Sequence, residues 1–462
     1  MFDDSLEIVK RLINSSSDNI AELLKSSAHS KRLLVLASLL EGRKSFPELK
    51  EITGLSKTAL ANHLTQMVDS FIIARIDRGF YEITKDGKEL LTKIASVYHQ
   101  SELYQTSQRE LLEAQYSRFG RFGDIMTKTE KRVTNVGIYQ PHGLSYSSAM
   151  SGAFQAIGEK WDVDDVTAFS GYGFLINTSK ERICLSGPTA LAAWPTIQDA
   201  TEKLGWHLEH FIDEEGFPST PPDTPLTERD EKRARDFFNK VKEAIDEYNR
   251  PVVIWGIPVP EYGIVNGYQD EYYLVSTFRT LLKQEETPIA YNKIQSPGCM
   301  EIIAFEKKTK PPTDKDHKES IVRALKMAKG EGVSMKGYAA SLEAYEVLEK
   351  QLLETPDDKI DPFAFCYLVD CYFCARDSAH KYLTKLTEKY KKESFSKNLE
   401  NVAETYGKIT NLYKDLQMHY PLFGKQDYSH DNRKVGAEIL RKIKEFEEEA
   451  INDLDECLGN WK

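Results

Sequence analysis

Between residues 30 and 84 the sequence changes periodicity so often, and breaks so sharply, that few arrangements can satisfy it. SKRLLVLASLLEG (30–42) carries an apolar helical stripe stopped by Gly42. SFPELKEITG (45–54) is a shorter helix with Pro47 in its first turn and Gly54 at its end. SKTALANHLTQMVDS (56–70) then opens on Ser56, a side chain suited to capping the first N–H groups of a third helix. On that helix Leu60, Leu64, Met67 and Val68 share one face, which leaves Lys57, Thr58, Asn62 and His63 largely on others. IIARIDRGFYEIT (72–84) switches to a period of two and turns at Asp77-Arg78-Gly79, which predicts a hairpin.

Two short helices joined by a glycine turn, the second polar outward, make a helix-turn-helix, and the hairpin adds a wing. Charge supports a phosphate-facing role for this segment alone. Residues 25–95 hold twelve Lys/Arg against eight Asp/Glu, whereas residues 1–24 hold two against five, in a chain of net charge −11. A small basic module on a large acidic body is what results when only the module touches nucleic acid. Over residues 28–95 the chain resembles the winged-helix domain of the ArsR- and MarR-like bacterial and archaeal regulators. The residues expected to meet double-stranded DNA are Ser56, Lys57, Thr58, Asn62, His63, Arg75 and Arg78.

An N-terminal helix is expected within residues 1–95, and residues 85–130 read as long amphipathic helix, with 96–132 as a dimerisation linker. The resemblance implies a twofold homodimer that would set two recognition helices about one DNA turn apart, as a palindromic operator requires.

The chain has 462 residues, 40% of them apolar, enough for two or three domains with sizeable cores. The N-terminus is charged from residue 3 and no run of about eighteen apolar residues occurs, so a soluble, cytoplasmic protein without a membrane partner is expected. Six scattered cysteines form no disulfide framework. Cys371 and Cys374 make a CxxC, but FAFCYLVDCYFCARD has helical spacing and no second Cys/His pair follows, which favours reduced core cysteines over a metal site.

Beyond residue 132 an α+β region runs to about 310, from strand-like VTNVGIYQ (133–140) to RPVVIWGIPVPEYGIVNGYQDEYYLVST (250–277), and a helical region occupies 311–462. A stretch there, KEFEEEAINDLDE, reads as a solvated face or a dimer contact. The segments GLSYSSAMSGAFQAIG, DVTAFSGYGF, PVVIWG and GIVNGY resemble the papain-like domain of the butirosin-biosynthesis acyltransferase family, with the helical domain often appended to it. In that family a cysteine opens a helix and a later strand carries a histidine. Here those places fall at Ser145 and Glu261. A serine hydroxyl needs a base to become a nucleophile, and a carboxylate of ordinary pKa is a weak one, so a catalytically degenerate domain is expected.

The former cleft is then a candidate pocket for a small-molecule effector, amphipathic or cationic, with Glu261 as charged anchor and Ser145 as hydroxyl contact. Tyr172, Phe174, Trp255, Tyr262 and Tyr268 are its expected aromatic walls. No catalytic residue, metal site or cofactor is assigned. PHGLSYSSA places His142 near Ser145 but lacks the G-x-S-x-G spacing, and His207 and His210 lack a third ligand. The whole reads as a one-component transcriptional regulator of α+β multidomain build. A Ser-based acyl or amide transferase or hydrolase fused to a DNA-binding module is the alternative, and a structural interaction hub is a third reading.

Overall fold

The computed structural model describes residues 2–77, 79–99, 101–119, 129–217, 226–356, 359–423 and 426–461. Contacts divide the chain into two compact units, Met1–Gln108 and Arg109–Lys462. Among the described residues no helix is long and apolar enough to cross a membrane.

The smaller unit holds α1 (Phe2–Ser27), α2 (Ser30–Leu39), β1 (Lys44–Ser45), α3 (Phe46–Thr53), α4 (Lys57–Asp69), β2 (Ile73–Asp77), β3 (Phe80–Ile83) and α5 (Lys85–His99), and α6 (Glu102–Phe119) begins in it. The ends of these helices are chemically marked. Ser45 and Glu48 form a reciprocal capping box at the start of α3, and Gly54 closes it at φ +65°, a left-handed conformation costly for any side chain. Ser56 Oγ accepts from the Ala59 N–H at 3.3 Å and starts α4. The strands pair antiparallel in the order β1-β3-β2. Leu60, Leu64 and Met67 bury the inner face of α4 against Val35, Leu36, Leu49 and Ile73. The single helix expected over 85–130 is two helices, because the Ser101 hydroxyl accepts from the Tyr104 N–H at 3.2 Å and caps a new start; residues 120–128 lie outside the described residues.

In the larger unit β4 (Glu130–Arg132), α7 (Ser145–Ala156), α8 (Val163–Phe169), β5 (Asn177–Ser179), α9 (Trp194–Glu202), β6 (Trp206–Asp213) and α10 (Glu228–Tyr248) come first. Then follow β7 (Val252–Trp255), β8 (Tyr262–Gln269), β9 (Tyr272–Ser276), β10 (Ile289–Ala290) and β11 (Met300–Lys308). The remainder is α11 (Asp314–Ala328), β12 (Tyr338–Ala340), α12 (Ser341–Glu354), α13 (Pro362–Lys389), α14 (Ser396–His419) and α15 (His430–Asn460). Among the described residues seven strands make one sheet, ordered β10-β9-β8-β7-β11-β6 with β4 added beside β8, antiparallel throughout. Every residue of β7 and β8 is buried, since each face of the sheet is covered. Val253, Trp255, Tyr262 and Ile264 join a core with α7 and the C-terminal helices, while Val252, Ile254 and Val265 join a second core with Phe237, Phe238 and Val241 of α10.

The first of these cores runs without interruption from Tyr139 to Trp461, so residue 310 marks a change of secondary structure and not a break in packing. The strand expected over 133–140 does not form. The Asn266 side chain takes the place of a neighbouring strand there, accepting from the Gly137 N–H at 2.7 Å and donating to the Gly137 carbonyl at 2.9 Å.

Candidate functional site

Two sets of polar residues stand out, one on the outside of α4 and one beneath the N-terminus of α7. On α4, Lys57, Thr58 and Asn62 are exposed, and Ser56 at its N-cap is exposed too. Arg75 is exposed on β2, opposite Tyr81, and Arg78 lies outside the described residues. Thr65 extends the exposed face by one turn, a continuation that helical spacing from Thr58 and Asn62 could have found.

His63 does not belong to that outward set. Its Nδ1 accepts from the Arg32 Nε–H at 2.9 Å, and its ring lies 4.5 Å from that of His29. Arg32 also binds Gln66 and the Lys25 carbonyl, so it clamps α4 to the helices before it. Burial, then the Arg32 and His29 charges, hold the His63 pKa below the usual imidazole value, and a neutral acceptor is the form this clamp needs. The basic and amide partners on α2 and α4 are 31 and 34 positions apart in sequence, beyond the reach of periodicity.

In the larger unit the structure brings Ser145 and Glu261 together. Ser145 opens α7, is 5% exposed, and its Oγ accepts from the Tyr262 N–H at 3.1 Å, which sets it beside the residue before Tyr262. Glu261 Oε1 accepts from the Tyr367 hydroxyl at 2.5 Å, while Oε2 is buried with no hydrogen-bond partner among the described residues. Burial raises the Glu261 pKa, with the Ser145 and Tyr367 hydroxyls opposing it and, among the described residues, no cation acting on it.

The helix α13 covers this pair. A side chain at Gly143 would place its Cβ 3.1 Å from the Cα of Cys371, so any side chain in the turn before α7 would crowd the close approach of α13. Cys371 Sγ donates to the Gly143 carbonyl at 3.1 Å, and both CxxC cysteines are free thiols on this helix. His142 Nδ1 accepts from the Leu144 N–H at 3.1 Å, and its Nε2 meets the Cys374 carbonyl and Ser378, so it is turned away from Ser145.

The expected aromatic walls are packed interior. Tyr172 donates to the Pro188 carbonyl at 2.9 Å, and Phe174 lies edge-on to Tyr406, 5.2 Å between centroids. Tyr262 donates to Glu301 at 2.6 Å and its ring touches Tyr146, Trp194 and Trp255. Trp255 reaches the Pro297 carbonyl at 3.4 Å. Tyr268 is on the other face of the sheet, bonded to Asp246 of α10. A register shift between Val265 and Gly267 inserts one residue in β8 and reverses the alternation, so positions 262 and 268 no longer share a side. His207 lies near Glu202 and Glu306, and His210 near Glu301. Among the described residues no cluster of three or more His, Cys, Asp or Glu side chains could hold a metal ion.

No protein-family model matches the chain. The HTH-type transcriptional regulator YgaV of Escherichia coli (strain K12) is 43% identical over 63 residues, which are 13% of this chain and 63% of that protein. The chain thus spans less than two thirds of the length of this curated relative. The likeness supports a helix-turn-helix regulator region at the N-terminal end.

Proposed function

We propose that this chain is a one-component transcriptional regulator that binds double-stranded DNA through α4 and the β2–β3 wing, acts as a homodimer, and takes its signal from a small molecule held by the larger unit. The observation that carries the reading is α4 itself: a capped helix whose inner face is core and whose outer face offers Lys57, Thr58 and Asn62 to a groove. The partial likeness to a regulator adds support. A papain-like, catalytically silent larger unit is part of this reading. It rests on the placement of Ser145 at the head of α7 next to Glu261 and on the covering of that pair by α13. Titration of the full chain against duplex DNA at two salt concentrations tests it. Lys57→Ala should weaken binding to all sequences and lower the slope of log affinity against log salt by about 1, and absence of low-salt binding by the parent chain would sink the proposal.

A second reading, Ser-based acyl or amide transfer, has one observation in its favour. Because Ser145 Oγ accepts from the Tyr262 N–H, its own proton remains available to the neighbouring Glu261, whose basicity burial has raised. Turnover of a thioester or amide panel that disappears in Ser145→Ala would establish this reading in place of a silent site.

A further inference from the structure

Away from Glu261, a cleft of about 150 Å³ lies among α8, α11 and α13. Its walls are the rings of Trp161, Phe169, His317 and Tyr382, joined by Leu204 and Leu386. The rings brace one another: Phe169 stands edge-on to His317 with centroids 6.0 Å apart, and to Tyr382 at 6.4 Å. Most of their polar edges are engaged within the protein. Trp161 Nε1–H donates to the Leu204 carbonyl at 2.7 Å, and the Tyr382 hydroxyl lies 2.8 Å from Ser320 Oγ and 3.2 Å from His317 Nδ1.

Proton bookkeeping then isolates one atom. Ser320 gives its proton to the His317 carbonyl at 2.6 Å, so the Tyr382 proton points either to Ser320 Oγ or to His317 Nδ1. In the first case His317 Nε2 is an acceptor, and in the second it is a donor. Burial and the Lys389 ammonium push the imidazole pKa down to about 4, so the ring is neutral at neutral pH.

The charged residues that also line the cleft, Asp165, Lys385 and Lys389, argue against a charged occupant. Lys385 is bound to Asp162 and Asp165, each at 2.8 Å, and Lys389 to Asp314 at 3.1 Å. Each ammonium already has its anion, and each of these carboxylates its cation. Size narrows the occupant further, because an apolar cavity of about 150 Å³ is known to take up benzene, whereas drug-sized ligands need about 300 Å³ or more.

We propose that this cleft binds a small uncharged aromatic ring carrying one hydrogen-bonding group, of the size and chemistry of phenol, with His317 Nε2 as its polar contact. The site stands or falls separately from the regulator reading. Calorimetric titration of the full chain with phenol should show saturable binding at one site per chain, with benzoate and 2-naphthol at least about tenfold weaker. Leu386→Phe, which fills the cleft, should weaken phenol at least about tenfold while the thermal midpoint confirms folding. Should that variant fail to fold, His317→Phe keeps a ring in the wall and removes the nitrogen. It should lower phenol affinity about tenfold and leave benzene affinity nearly unchanged. Phenol that fails to saturate up to its solubility limit overturns the proposal. So does benzoate binding as tightly as phenol, or affinity for phenol that is unchanged in the folded variants.

Discussion

The outer face of α4 and the centre of the larger unit both hold polar side chains on helices, and they hold them under opposite conditions. Lys57, Thr58 and Asn62 keep their water and depend on the apolar face behind them only for position. Arg376 and Glu447 are almost wholly buried, joined at 2.6 Å, with Arg376 also donating to the Leu175 carbonyl at 2.6 Å and Tyr345 donating to Glu447 at 2.9 Å. An exposed polar residue costs the fold nothing and can be exchanged for function. A buried ion pair has lost two hydration shells, so each partner holds the other in place and neither can be removed alone. Binding capacity is therefore easy to alter in the smaller unit and tied to the packing in the larger.

The largest expected effect tests that contrast directly. Arg376→Met leaves Glu447 buried without its cation and should destabilise the larger unit by about 3–5 kcal/mol, read by chemical denaturation of the full chain. A loss below about 1 kcal/mol would mean that the pair is as replaceable as a surface contact.

Glu286 gives the next effect. Burial pushes its pKa up to about 7 against the opposing Thr277 donors and Arg279. A carboxyl whose folded pKa exceeds its unfolded value of 4.5 contributes stability that is full below pH 4.5 and is lost as pH rises through 7. The shift corresponds to about 3 kcal/mol. Glu286→Gln cannot ionise, so its stability relative to the parent should improve by up to that amount between pH 4.5 and pH 8. His317 works in the reverse sense, because its depressed pKa of about 4 gives stability above pH 6.5 that is lost as pH falls. The comparison must for that reason be made between variant and parent at each pH, and a difference that stays flat would refute the assignment.

On α4, Asn62→Ala should leave the denaturation midpoint unchanged while costing about 1–3 kcal/mol of discrimination between preferred and altered duplexes. Equal losses on every sequence would move Asn62 from base reading to phosphate contact. The smallest effect is expected at Ser145→Ala, about 1 kcal/mol of stability from the lost acceptor for the Tyr262 N–H, measured by the same denaturation. A much larger loss would show that the head of α7 tolerates change no better than the Arg376 pair.

Sequence disclosed most where structure is local. Ser45, Pro47, Gly54 and Ser56 mark the ends of α3 and α4 chemically, and Leu60, Leu64 and Met67 show the buried face by spacing alone. The proximity of Ser145 to Glu261 is expected from the sequence and is seen in the structure, where Ser145 Oγ meets the Tyr262 N–H. What surrounds the pair was not legible. Tyr268 follows Tyr262 at a strand-compatible spacing, and one inserted residue in β8 sends it to the opposite core. Glu447 sits in KEFEEEAINDLDE, which reads as a solvated face, yet its partner Arg376 is 71 positions away. His63 looked outward by helical position and is held by Arg32 from another helix. In each case the deciding contact is tertiary, so no pattern within one element could carry it.

The inserted residue in β8 has a further consequence, in the chemistry of ageing. Asn266 precedes Gly267, and an Asn-Gly pair in a flexible chain is prone to close into a succinimide when the glycine nitrogen attacks the side-chain amide carbon. Here the amide is occupied, its oxygen by the Gly137 N–H and its nitrogen by the Gly137 carbonyl and the Tyr116 hydroxyl, the last at 3.4 Å. Ring closure would break these bonds, and the aspartate left by hydrolysis would set a buried carboxylate oxygen against the Gly137 carbonyl where a donor had been. The contacts that let a side chain stand in for a strand thus also keep this peptide from wearing out, and a chain that opens here loses both protections together.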